Sequence, residues 1–212
     1  VKGLVHPPER VIAYVRYLPD PRGERERGGL RYKKVYSLGE REELLMRKYP
    51  RYVHFDPVFG RVLQSVLKDK ILEVYDPVEG LKRLSPDGGE LESLALEFAE
   101  TLIEESGIPH RALGITGSLL VGLHGPSSDI DVVVYGEREA YRVRDALSEL
   151  LEGGERGFEK YGAGDLERLY RFRSRDTYMD FGDFVRVESR KVLQGVFRGR
   201  DLDVRLVKKK EE

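Results

Sequence analysis

The chain has 212 residues, enough for one ordinary domain or two small ones, of which 40% are hydrophobic and 35% charged. This balance excludes a disordered chain, no apolar run approaches the roughly 20 residues a membrane span needs, and the lack of cysteine excludes disulfides, thiol chemistry and cysteine-ligated zinc. The 37 Lys and Arg nearly cancel the 38 Asp and Glu, leaving a net charge of −1.

Residues 1–85 read as a small β-rich or α+β module. Val1 to Pro8 lacks the apolar stretch of a signal peptide, so the expected location is the cytoplasm. Arg10 to Leu18 is β-branched and aromatic and is expected as a strand, broken by Pro19-Asp20-Pro21-Arg22-Gly23. Arg22 to Gly29 is charged and bounded by glycine, and is expected as a mobile loop. Leu30 to Ser37 reads as a strand, and Ser37 as the cap of a helix over Leu38 to Lys48, with Glu40, Glu42 and Glu43 near its positive dipole end. Tyr52 to Phe55, Arg61 to Leu67 and Lys70 to Tyr75 read as further strands, with helix the alternative over Val58 to Leu67. Asp76 to Glu90 holds two Pro and three Gly and marks the boundary to a second domain, residues 86–212.

There the pattern changes. Leu91, Leu94, Ala95, Phe98, Ala99, Leu102 and Ile103 recur at the spacing of one helix face, which ends at Ser106-Gly107. Arg111 to Thr116 predicts a short strand. A second helix is expected over Glu137 to Glu152, buried along Val143, Ala146, Leu147, Leu150 and Leu151 and closed by Gly153-Gly154. Leu169 to Arg173 interleaves aromatics with Arg and reads as an amphipathic element in preference to a base-stacking surface. Arg190 to Phe197 and Leu202 to Val207 read as a hairpin around Arg198-Gly199-Arg200-Asp201. Gly122-Leu123-His124-Gly125 reads as a loop. No P-loop motif occurs.

Chemistry concentrates between Gly114 and Gly136. This stretch reads strand, Gly117-Ser118, a helical turn, a loop, then a strand opening Asp129-Ile130-Asp131. Residues i and i+2 of a strand point the same way, so Asp129 and Asp131 present two carboxylates side by side. Such a pair repels unless a cation lies between, and magnesium, a hard cation favouring oxygen, suits it. Gly117-Ser118 stands where a strand turns into a helix, and unpaired N–H groups there hold phosphate.

Gly117-Ser118 followed by Asp129-x-Asp131 on the next strand resembles the signature of the polymerase-β-like nucleotidyltransferase superfamily, which includes tRNA CCA-adding enzymes, poly(A) polymerases and minimal nucleotidyltransferases of bacteria and archaea. The resemblance covers roughly residues 91–207. It implies an α/β (α+β) fold with a mixed β-sheet flanked by helices, and a third carboxylate from a later strand. Asp203 matches that position. Asp201, two residues earlier on the same face, competes, while Asp180 and Asp183 are more distant candidates. By resemblance, Asp129, Asp131 and Asp203 hold two Mg²⁺ ions, with Mn²⁺ the alternative, and Gly117 and Ser118 grip the β- and γ-phosphates of an NTP. Arg205 shares the face of Asp203, where it contacts phosphate or pairs with a carboxylate. The implied reaction attaches a nucleoside monophosphate to an acceptor hydroxyl and releases pyrophosphate. The alternative is a catalytically silent protein of the same fold, serving as a nucleic-acid- or partner-binding, antitoxin-like module.

Acceptors of three classes are open: a nucleic-acid end, a protein side chain or a small molecule. RNA ranks first. Arg10 to Arg51 holds twelve Lys and Arg against six Asp and Glu, and Arg22, Arg25, Arg27, Arg31, Lys33 and Lys34 are the cations expected to meet a polyanion. The chain has no Asn and only Gln64 and Gln194 as amides, which beside 35% charged residues is the composition expected of a thermophile.

Overall fold

The computed structural model describes residues 1–212 throughout, and the chain divides into two units, Val1–Val74 and Tyr75–Glu212. The division falls before the expected boundary at residues 85 and 86, for a local reason. Asp76-Pro77 starts a helix: Asp76 Oδ1 accepts from the N–H groups of Val78 and Glu79 at 2.8 and 3.0 Å, and Pro77 occupies the first turn. That helix packs on the second unit.

The first unit contains β1 (Arg10–Ile12), β2 (Tyr17–Pro19), β3 (Arg25–Arg27), β4 (Leu30–Lys34), α1 (Leu38–Lys48), β5 (Val53–Asp56) and β6 (Arg61–Leu67). They form two antiparallel sheets of three strands, ordered β1-β6-β5 and β2-β4-β3. The single strand expected over Arg10 to Leu18 is therefore two, because β1 pairs with β6 and β2 with β4. The charged stretch Arg22 to Gly29 is not a loop but half of a hairpin. Gly28 and Gly29 take φ of 57° and 74°, the two left-handed positions a tight strand turn requires. Lys70 to Tyr75 forms no strand; a single 3₁₀ turn, Lys68–Lys70, precedes irregular chain. Ser37 caps α1 as expected, its Oγ accepting from Glu40 N at 3.2 Å.

The second unit runs α2 (Pro77–Arg83), α3 (Glu90–Ser106), β7 (Leu113–Ile115), α4 (Gly117–Leu120), β8 (Ile130–Tyr135), α5 (Glu137–Gly153), β9 (Phe158–Glu159), α6 (Ala163–Arg173), α7 (Phe181–Glu188), β10 (Gln194–Phe197) and β11 (Arg200–Val207). Its five-stranded sheet has the order β7-β8-β11-β10-β9, with β8 and β11 parallel and every other pair antiparallel. The mixed sheet with flanking helices is the architecture the sequence resemblance implies. No helix is long and apolar enough to cross a membrane.

One face of this sheet is the core side. Ile130, Val132 and Val134 of β8 and Leu202 and Val204 of β11 are buried there with the apolar stripes of α3 and α5. Phe98, Phe158 and Phe197, all fully buried, bring α3, β9 and β10 together with ring centroids 4.7 to 5.7 Å apart. Alternation then sends Asp131 and Val133, and Asp201, Asp203 and Arg205, to the opposite face. α2 lies against β7, closest at Gly114, where an added Cβ would stand 2.6 Å from the Pro77 backbone.

Candidate active site

Parallel pairing of β8 and β11 sets Ile130 across from Leu202 and Asp131 across from Asp203. Asp131 and Asp203 are therefore neighbours on adjacent strands, and Asp129 stands one residue before β8 begins. All three are half-buried. A turn locks the chain ahead of Asp129: Ser128 N donates to Gly125 O at 2.9 Å and Gly125 N to Ser128 Oγ at 3.0 Å. Arg200, at the start of β11, donates to Pro126 O and ties this turn to the hairpin strand.

On its other flank Asp131 meets the turn between β7 and α4. Thr116 N donates to Asp131 O at 2.8 Å, and Gly117 takes a left-handed φ of 63°. The approach is so close that a Cβ on Gly117 would stand 1.9 Å from Asp131 Oδ2. Next to it Ser118 is 4% exposed, and its Oγ has no hydrogen-bond partner. A buried hydroxyl without a partner is costly in a finished fold and is common where a ligand completes the bonding.

Asp203 Oδ1 accepts from Arg205 Nε at 3.2 Å, so of the two roles open to Arg205 the structure has the carboxylate pairing. No three His, Asp or Glu side chains converge into a ready cation cage. Like charges repel, and Asp203 takes the nearest cation of its own face. The donor set still suits a hard divalent cation: carboxylates only, two of them register neighbours, beside a backbone turn whose serine hydroxyl is unsatisfied.

The competitors are committed elsewhere. Asp201 receives both Arg168 Nη atoms at 2.7 and 3.0 Å, and Arg168 also reaches Asp165 at 3.1 Å. Asp180 caps α7, accepting from Gly182 N and Asp183 N, and Asp183 pairs with Arg186 at 2.7 Å. Asp203, itself paired with Arg205, is the one of these carboxylates whose register partner is Asp131.

The profile of the nucleotidyltransferase domain matches residues 97–193. This segment of the second unit is similar to a nucleotidyltransferase domain. Its matched segment holds Gly117, Ser118, Asp129 and Asp131 and ends before β11, so Asp203 joins them through strand register. Over 224 aligned positions the whole chain is 25% identical to the uncharacterized protein MJ1086 of Methanocaldococcus jannaschii, and it spans 65% of that relative's length. No solved structure matches.

Two further groups in the second unit border the carboxylates, and sequence reading missed both. Tyr161 is half-buried beside β11; burial, with the charges of Asp201 and Asp203, pushes its phenol far above the usual range. Glu188, 6% exposed, gathers Lys191 at 2.6 Å, Arg173 at 2.8 Å and the Gln194 amide, and Gln194 is the register partner of Asp203. Burial acts to raise the Glu188 pKa, but the bonds from Lys191 and Gln194 and the Arg173 charge outweigh it and leave the group below the usual glutamate range. Its stabilising effect is thus complete above the unfolded-state value and is lost as pH falls through the lower folded one. Glu188→Gln is expected to cost about 1–3 kcal/mol at neutral pH, with the difference from the parent protein shrinking in acid; urea unfolding at both pH values measures it.

Proposed function

We propose that the second unit transfers a nucleoside monophosphate from an NTP to an acceptor hydroxyl and releases pyrophosphate. One observation carries this reading: Asp131 touches the Gly117 turn on one side and has Asp203 as its register neighbour on the other, so a phosphate-holding turn and two carboxylates line up across adjacent strands. The Gly117 turn and the Ser118 hydroxyl would hold the triphosphate end. Asp203, separated from that turn by β8, would face the acceptor and take its hydroxyl proton. The acceptor oxygen bonds to the α-phosphorus as the bond from the α-phosphorus to the bridging oxygen breaks. Magnesium or manganese bound by Asp129, Asp131 and Asp203 would polarise the hydroxyl and neutralise the leaving pyrophosphate. Arg205, paired with Asp203, is placed to exchange that carboxylate for a phosphate oxygen.

Incubation of the protein with each labelled NTP, Mg²⁺ and an extract of RNA, protein and metabolites tests the reading. Label should enter one acceptor class, with pyrophosphate released in equal amount. No transfer from any NTP would sink it. Ser118→Ala gives a sharper expectation. Its hydroxyl has no partner within the fold, so stability should change by no more than about 0.5 kcal/mol. The NTP KM should rise by roughly ten-fold, the worth of one hydrogen bond to a charged oxygen. An unchanged KM would remove Ser118 from the phosphate site.

A further inference from the structure

Four cations of the second unit that are scattered in sequence meet at one cleft. Arg144 comes from α5, Arg173 from α6, and Arg190 and Lys191 from the segment after α7. The cleft has a volume of about 600 Å³ and opens where β10 begins beside β11; Gln194 and Asp203 are part of its wall. Against the four positive groups stand three carboxylates: Asp203, the buried Glu188, and Asp145, whose Oδ1 accepts from Arg144 Nε at 3.0 Å and from Arg144 Nη2 at 2.6 Å. Glu188 holds Arg173 and Lys191 from beneath and so fixes their positions. Arg190 is exposed and has no ion pair. Arg144 lies 5.3 Å over the ring of Tyr141, which is 55% exposed, so an aromatic face adjoins the positive surface.

Sheet order decides what such a cleft would receive. Across the strands come the Gly117 turn after β7, then Asp131 on β8, Asp203 on β11 and the cleft at the start of β10. Phosphoryl transfer is in line, with the attacking and leaving oxygens on opposite sides of the phosphorus. If the triphosphate end sits at the Gly117 turn, the acceptor arrives from the β10 side, through the cleft. The cations there still outnumber the carboxylates, with Arg190 unpaired, which suits an acceptor rich in phosphate, and an exposed Tyr141 supplies a surface on which a base stacks.

We infer that this cleft binds the phosphate backbone of a single-stranded nucleic acid and delivers its terminal hydroxyl to Asp203; the delivery rests on the transfer reading above, while the binding stands by itself. The basic stretch of the first unit is the competing surface, and its cations are partnered as well. Arg22 pairs with Asp20 at 3.7 Å, Arg31 donates to Gly23 O at 2.8 Å, and Lys33 pairs with Glu40 at 2.7 Å.

The test is a fluorescence-anisotropy titration of the full chain with a short fluorescein-labelled single-stranded RNA, and with DNA of the same sequence, in the absence of NTP and over a range of salt. Arg144→Glu/Arg190→Glu should weaken binding by about ten-fold or more. It should also flatten the dependence of log K on log salt by about 1.4, two phosphate contacts at roughly 0.7 each. Arg190→Ala, at an exposed position without a partner, should show the same direction at smaller size. Arg22→Glu/Lys33→Glu in the first unit should stay within about two-fold of the parent. Undiminished binding in Arg144→Glu/Arg190→Glu overturns the inference, as does a parent chain that binds neither strand at low salt. Loss of ATP binding in place of strand binding also overturns it, since the cleft would then seat the triphosphate. Strand binding that depends on Arg144 and Arg190 in a protein that transfers no nucleotide would refute the proposed reaction and uphold the cleft.

Discussion

Asp131→Asn is expected to lower nucleotidyl transfer by about a thousand-fold while leaving stability within about 0.5 kcal/mol of the parent. The substitution keeps the shape of the side chain, and with it the contact at Gly117 and the backbone bond from Thr116. What it removes is one negative charge, from the side chain set between the Gly117 turn and its register neighbour Asp203. Folding therefore gains or loses little, while the site loses the group that stands between the phosphate turn and the acceptor side. Label transfer from NTP gives the rate and thermal unfolding the stability. Activity near the parent level in Asp131→Asn would end the proposed mechanism.

Gly117→Ala should damage fold and reaction together. A left-handed φ of 63° costs an alanine about 1–2 kcal/mol before any contact is counted. The new methyl would also stand 1.9 Å from Asp131 Oδ2, closer than any two such atoms approach, so either the turn or the carboxylate must move. A loss of about 2–3 kcal/mol follows, lowering Tm by roughly 4–12 °C for a chain of this size. Displacement of the carboxylate by an ångström should lower transfer by about a hundred-fold. Thermal unfolding and label transfer, measured on one preparation, check both. A variant with parent-like Tm and activity would show that the turn and Asp131 are not mechanically joined.

Much of the second unit was legible in the sequence because its signals are local. The apolar stripes from Leu91 to Ile103 and from Val143 to Leu151 became the buried faces of α3 and α5. The Arg198-Gly199 turn became a hairpin with positive φ at both residues. Gly117-Ser118 and Asp129-x-Asp131 fell on a turn and at a strand start, as read. Errors arose where one signal had two meanings. Asp76 to Glu90 reads as a boundary stretch, yet an acid before proline is also a helix start, and α2 forms within it. Dense charge from Arg22 to Gly29 hid a Gly-Gly hairpin turn. The carboxylates of Asp180 and Asp183 drew notice as chemistry, when Asp180 is the cap of α7.

The site was harder, because it depends on partners distant in sequence. Alternation places Asp201 and Asp203 on one face and cannot choose between them. Register sets Asp203 across from Asp131, while Arg168, 33 residues upstream, holds Asp201. The contact between Gly117 and Asp131 and the meeting of Arg144, Arg173, Arg190 and Lys191 likewise exist only once the strands are paired.

The parallel pairing of β8 with β11 has a consequence for how this chain tolerates changes in its length. Each rung of the ladder offers one residue to the core and the next to the site. Deleting or inserting a single residue between Gly199 and Asp203 would slide β11 by one rung unless the turn absorbed it. Leu202 or Val204 would then face Asp131, and the Asp203 carboxylate would be driven toward Phe197 and the α5 core. An insertion of two would restore the alternation but move the carboxylate about 7 Å along the strand, away from Asp131. The two-residue turn at Arg198-Gly199 thus acts as a ruler, and among the loops of the second unit it is where natural variants should differ least in length.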